Sequence, residues 1–226
     1  TVNSQQSTVN SQQSLLRYTI ILRGNLYIVS APSGSGKTTL LHHLIRNFKD
    51  LTFSVSYTTR FPRASEANSV DYFFVNRAEF KAMVKCGEFL EWAEYHGNLY
   101  GTSQKFVEDN LAVGKNVILD IDVQGARQVK AMISGAVAIF LMPPSFGELE
   151  RRLRSRRLED DETIRKRLAI AKSEISCYLD YDYVVVNDKL DEAIPQLDAI
   201  VRSSTRPPER EANRIQEIVT SFGGIN

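Results

Sequence analysis

The stretch Ser30-Ala-Pro-Ser-Gly-Ser-Gly-Lys-Thr-Thr39 lies between an apolar run ending at Val29 and the apolar-periodic segment that starts at Leu40. A lysine among glycines and hydroxyls at a strand-to-helix junction has the make-up of a phosphate cradle. Backbone N–H groups wrap the oxygens, the lysine reaches the β and γ oxygens, and the next hydroxyl holds Mg²⁺. The general pattern is G-x-x-x-x-G-K-S/T. Here Ala31 stands at the first glycine, and Pro32, Ser33, Gly34, Ser35, Gly36, Lys37, Thr38 and Thr39 follow in register. The start of the following helix adds a dipole that favours an anion. A turn that is Gly-rich by chance is the competing reading, and Lys37-Thr38 in register speaks against it. The loop predicts a nucleoside triphosphate site. A second segment, Asn116-Val-Ile-Leu-Asp120, has the form of a strand ending in a carboxylate that supports Mg²⁺ directly or through water. Many strands end in Asp, so this signal takes its weight from the loop before it.

These residues need a scaffold that brings strand ends and helix starts together. The 226 residues, 42% of them hydrophobic, suffice for one large domain with small inserted lobes. Strand candidates "LYIVSA", "NVILDI", "AVAIFLM" and "YVVVN" are near-continuous apolar runs, as strands buried on both faces require. Helical patterns begin at the loop, near Gln124, at Ser145 and across "ETIRKRLAIAKSEISCYL"; Ser145 with Glu148 reads as a capping box. The alternation predicts an α/β fold with a parallel sheet flanked by helices. Residues from about Phe53 to Tyr100 differ: "FSVSYTTR", "VDYFFV" and "FLEWAEYHGNLYG" are short, alternating and aromatic, with "HGN" as a hairpin turn. They predict a small, mostly antiparallel inserted lobe. "RRLRSRRLEDDE" forms a second, highly charged insertion that is either solvated or clamped on a charged ligand.

A net charge of +1 argues against a broad nucleic-acid surface. Cys86 and Cys177 are far apart without CxxC spacing, which fits reduced, buried thiols in a cytoplasmic protein. No apolar run approaches the roughly 20 residues of a membrane span. The start, a tandem TVNSQQS repeat, has neither the basic nor the apolar region of a signal peptide and reads as a disordered extension.

Taken in order and spacing, "APSGSGKT", "SVSYTTRFPR", "DYFF", "FLEWAEYHGNLYGT", "ILDIDVQG" and "YVVVND" resemble the guanylate kinase family from about Asn25 to Ser204. The resemblance implies MgATP-dependent phosphorylation of GMP, and of dGMP, to the diphosphate. It divides the chain into an extension (1–24), a kinase domain (25–206) and a tail (207–226) read as helical. Within the domain it implies a P-loop core (25–52, 103–150 and 168–206), a GMP-binding lobe (53–102) and a lid (151–167). It also implies that Arg60, Arg63, Tyr72 and Tyr100 hold the GMP phosphate, which as a dianion needs bidentate cations and donors. Glu91 and Asp122 match the family's carboxylates that read guanine N1–H and N2–H₂, and Ser56 and Thr102 its hydroxyls. Two residues after Asp120, Asp122 is expected on the same side of that strand. Lys37, Arg152, Arg156 and Arg167 are implied to grip the ATP phosphates and stabilise transferred charge. Asn187 takes a position near the ATP adenine; Thr38 and Asp120 are the implied Mg²⁺ residues.

Surface solubility is the plainer reading for the arginines and lobe core for the tyrosines. In the lid, Ser155 and Arg157 stand where the family usually has Gly. Two other functions compete. A kinase for a sugar phosphate would have no use for a guanine-reading set. A non-catalytic phosphopeptide-binding module would have no need of Lys37 and Thr38. ATP and GMP are the expected partners, with no nucleic acid and no membrane. The tail can pack on its own core or on a second copy, so a homo-oligomer stays open.

Overall fold

The computed structural model describes residues 24–95, 97–155 and 160–204. Five strands form one parallel sheet: β1 (Leu26–Ser30), β2 (Leu51–Ser54), β7 (Asn116–Asp120), β8 (Val137–Met142) and β9 (Tyr183–Val186), in the order β2-β7-β1-β8-β9. β1 explains why such strands are apolar throughout. All five of its residues are buried, with Tyr27 and Val29 on one face and Leu26 and Ile28 on the other. The first face packs on α1 (Lys37–Asn47) and α7 (Leu190–Ser204) through Leu40, Leu44, Leu197 and Val201. The second packs on α3 (Gln104–Ala112) and α4 (Val123–Met132) through Val107, Leu111, Ala126 and Val129. The α/β fold with helices on both faces is as the alternation predicts.

A second sheet, ordered β4-β3-β6-β5, comprises β3 (Tyr57–Thr58), β4 (Phe73–Phe74), β5 (Phe89–Tyr95) and β6 (Asn98–Ser103). β3 runs parallel to β4, while β6 is antiparallel to both β3 and β5. It packs on α2 (Arg77–Lys85), where Phe80 stacks on Phe89 at 4.5 Å. The "FSVSYTTR" stretch divides between the sheets: Phe53 and Ser54 pair with β7 in the parallel sheet, and only from Tyr57 does the chain join the second. Its alternation suits either sheet, so periodicity alone does not locate the crossing.

α5 (Phe146–Ser155) and α6 (Asp161–Ile175) pack together through Leu149, Leu153, Ile164 and Leu168. Ser145 accepts from the Glu148 N–H as a capping residue does, but the Glu148 side chain turns to Arg151 and Arg152 rather than completing a box. The cysteines depart from expectation: Cys86 is exposed at the end of α2, and Cys177 is half-buried with its sulfur 3.3 Å from an Arg127 nitrogen. The tandem repeat, the tail, His96 of the hairpin, and Arg156 and Arg157 of the lid lie outside the described residues.

Candidate active site

The loop between β1 and α1 turns on Gly34 (φ 98°) and Gly36 (φ 87°), backbone conformations that favour glycine. No side chain caps α1, whereas Asn76, Ser103, Asp122, Ser145 and Asp160 cap α2 to α6. The first N–H groups of α1 are thereby left for an anion. Two contacts brace the loop from outside. The buried Asn187 amide donates to the Ser35 carbonyl at 2.6 Å. A Cβ on Gly34 would meet Leu149 and Leu153 of α5 at 2.9–3.1 Å, so the loop lies directly against that helix.

Above the loop opens a cavity of about 270 Å³. One side is the loop itself, Ala31 to Thr38, with Asp120 at the end of β7; Lys37 Nζ forms an ion pair with Asp120 Oδ1. Arg167 of α6 reaches down to donate to Ser33 Oγ, placing a guanidinium at the same wall.

The opposite wall comes from the second sheet. Glu91 is 4% exposed; its Oε1 accepts from Thr102 Oγ1 at 2.6 Å, and its Oε2 lies against Gly125, where a Cβ would collide. Burial, with Asp122 adding to it, pushes the Glu91 carboxyl up to about 7. Ser56 and Asp122 border the same space. Asp122 stands differently from the strand-face expectation. β7 ends at Asp120, and Asp122 is the N-cap of α4, accepting from the Gln124 and Gly125 N–H groups at 2.9 Å. An Asp just before an apolar-periodic run is a capping signal, and it outweighs strand alternation here.

Tyr72, Tyr100 and Arg63 also line the cavity. Burial raises the Tyr72 phenol to about 12, so it stays a donor at neutral pH. Arg60 is stacked 5.3 Å from the Tyr72 ring centre and tied to Glu66 at 2.8 Å. Glu66, held below its ordinary pKa by the Arg60 hydrogen bond, also accepts from the Arg63 backbone N–H and so fixes the turn carrying both arginines.

Of the expected residues that the structure describes, Thr39, Arg60, Thr102, Arg152 and Asn187 are not among those lining this cavity. Arg152 borders a separate groove beside the loop, with Gly34, Gly36, Thr39 and Asn187; its guanidinium donates to the Asn187 and Asp188 carbonyls at 2.9 and 3.1 Å. Arg156 lies outside the described residues. Sequence reasoning passed over Glu66, Tyr95 and Glu174, the last two of which line the cavity. For Glu174 a signal existed: Ile164, Leu168 and Ala171 form the buried stripe of α6, and Glu174 is its next position.

A glycine-turned loop feeding an uncapped helix start, at the carboxyl ends of a parallel sheet, defines a P-loop nucleotide-binding α/β protein. The family profile described as "Guanylate kinase" matches residues 23–204. The guanylate kinase of Dechloromonas aromatica is 49% identical over 183 residues, covering 81% of this chain and 91% of that protein. That of Nitrosomonas europaea is 45% identical, covering 87% and 98%. The crystal structure of guanylate kinase from Anaplasma phagocytophilum superposes with a TM-score of 0.70 at 34% identity, covering 90% of this chain and 97% of that one. The chain belongs to the guanylate kinase family.

Proposed function

We infer that this chain transfers the γ-phosphoryl group of ATP to GMP, releasing ADP and GDP. The observation that carries the reading is the pairing of a P-loop wall with a buried Glu91–Thr102 pair across one cavity. Guanine presents N1–H and N2–H₂ donors, which an ionised carboxylate accepts; adenine presents an unprotonated N1 and is turned away. A buried polar set left unpaired by the wrong base discriminates by orders of magnitude. Ser56, Thr102 and Asp122 complete the base end, and Arg60, Arg63, Tyr72 and Tyr100 take the acceptor phosphate.

The loop from Ala31 to Thr39 holds the donor phosphates, with Lys37 on the β and γ oxygens once it leaves Asp120. Arg152, Arg156 and Arg167 are the lid cations that neutralise charge as the phosphoryl group moves. In this reading the groove beside Asn187 takes the adenine, and Asn187 itself holds the loop through Ser35. Thr38 and Asp120 fit Mg²⁺. Both are hard oxygen donors on the loop side of the cavity, and the Asp120 carboxylate already faces a cation in Lys37. Bound there, Mg²⁺ supplies charge neutralisation at the β and γ oxygens. The acceptor is an ionised phosphate, so positioning and electrostatics suffice without a general base.

The test is ADP release from MgATP with GMP, AMP, UMP, CMP or ribose bisphosphate as acceptor. Rapid turnover with GMP alone is the expected result. Turnover with the sugar phosphate and not GMP would overturn the guanine reading while leaving the P-loop assignment standing.

A further inference from the structure

Glu174 is a buried acid that phosphoryl transfer, as described above, leaves without a role. It is 5% exposed, borders the central cavity, and its Oε2 has no hydrogen-bond partner among the described residues. A buried carboxylate oxygen without a partner is costly, and in a ligand cavity it points to a donor on the ligand. The Tyr95 hydroxyl meets the carboxyl from the second sheet, so the group is held rather than loose.

Its surroundings say which donor. Along β5 the residues Glu91, Ala93 and Tyr95 alternate with the more exposed Trp92 and Glu94, so Tyr95 shares the inward face with Glu91. The Tyr95 ring also lies 6.5 Å from that of Tyr100. In the register of β5 with β6, Tyr100 pairs with Ala93, so Tyr95 lies one position beyond Tyr100 from Glu91, and Glu174 meets the wall there while also feeling the charge of Lys37. A phosphate would be repelled by a carboxylate, and the guanine donors face Glu91. The donors that remain on a nucleoside monophosphate are the ribose hydroxyls, which carboxylates accept from in other nucleotide sites.

We propose that Glu174 is a specificity-determining residue that accepts a hydrogen bond from a ribose hydroxyl of the acceptor nucleotide, with the Tyr95 hydroxyl holding its carboxylate in place. The proposal rests on the cavity being the GMP site.

Steady-state kinetics at saturating MgATP with GMP, 2′-deoxy-GMP and 3′-deoxy-GMP test it, for wild type, Glu174→Ala, Glu174→Gln and Tyr95→Phe. In wild type, one deoxy analogue shows a KM raised roughly 10- to 100-fold, the range of a hydrogen bond to a charged group. Glu174→Ala raises the GMP KM by a similar factor, leaves that analogue unchanged, and keeps kcat within a few-fold. Glu174→Gln, which preserves shape and fold, narrows the preference between GMP and the same analogue. Tyr95→Phe shifts KM in the same direction by less. Equal losses with all three acceptors would make Glu174 structural and overturn the proposal. So would a wild type that takes both deoxy analogues as well as GMP. A wild type inert to all three would overturn the acceptor reading itself, a result distinct from either.

Discussion

Glu91 sits on the inward face of β5 with Thr102 on one oxygen and Gly125 against the other, and burial raises its pKa from near 4.5 to about 7. Between those two values the folded chain keeps a proton that the unfolded chain releases. This group's contribution to folding is therefore fully present below about pH 4.5 and is lost as pH rises through about 7. The displacement is worth roughly 3 kcal/mol. Glu91→Gln should accordingly melt above wild type at pH 8, with the gap closing towards pH 4.5, while losing most guanine selection; thermal denaturation across that range checks the first part. The same proton has a second effect. A protonated Glu91 cannot accept from both guanine donors, so the wild-type KM for GMP should rise as pH falls from 8 to 6, and a flat profile would contradict this. Asp122 separates two roles. Asn caps a helix about as well as Asp, so Asp122→Asn should leave stability near wild type, while Asp122→Ala costs about 1 kcal/mol. Both should raise the GMP KM, measured in the same acceptor assay.

Among the elements, α4 matters to the site mainly through one glycine. Gly125 lets the first turn of that helix lie against Glu91 Oε2. Gly125→Ala should displace the carboxylate and raise the GMP KM roughly 10- to 100-fold with the ATP KM unchanged, since sub-ångström placement controls such contacts. Equal effects on both substrates would contradict it. The parallel strands were legible because burial on both faces leaves continuous apolar runs, as Tyr27 and Ile28 on opposite sides of β1 illustrate. The P-loop was legible because φ above zero demands Gly34 and Gly36 whatever the rest of the fold. Other features depend on tertiary contacts with no local pattern. Glu66 is an acid in a polar turn until Arg60 and Arg63 fold around it. Tyr95 reads as one aromatic among several, and its meaning comes from Glu174, 79 positions away in the chain by residue number. Asp122 was misplaced on the strand face because capping and alternation compete at a strand-to-helix junction, and capping won.

At the level of the whole molecule, residues of two differently built sheets line one cavity, and Arg167 spans from α6 to the loop at Ser33. In the proposed reading the parallel sheet and its loop supply the donor chemistry and the second sheet the acceptor recognition. A ligand that engages both walls at once gains an effective-concentration advantage. An adenosine and a guanosine joined by a chain of phosphates should therefore bind roughly 10²- to 10⁴-fold tighter than ATP or GMP alone, as calorimetry would read directly. Affinity no better than that of the separate nucleotides would mean that the two walls do not act together. The most direct test of the central claim is a comparison of GDP formation from MgATP and GMP by wild type and Glu91→Ala, with AMP as the competing acceptor. The account predicts that wild type phosphorylates GMP and not AMP, and that Glu91→Ala loses GMP turnover by at least about 100-fold while its ATP affinity stays intact. Full activity and unchanged preference in Glu91→Ala would contradict it, because the buried carboxylate would then not be what reads the base.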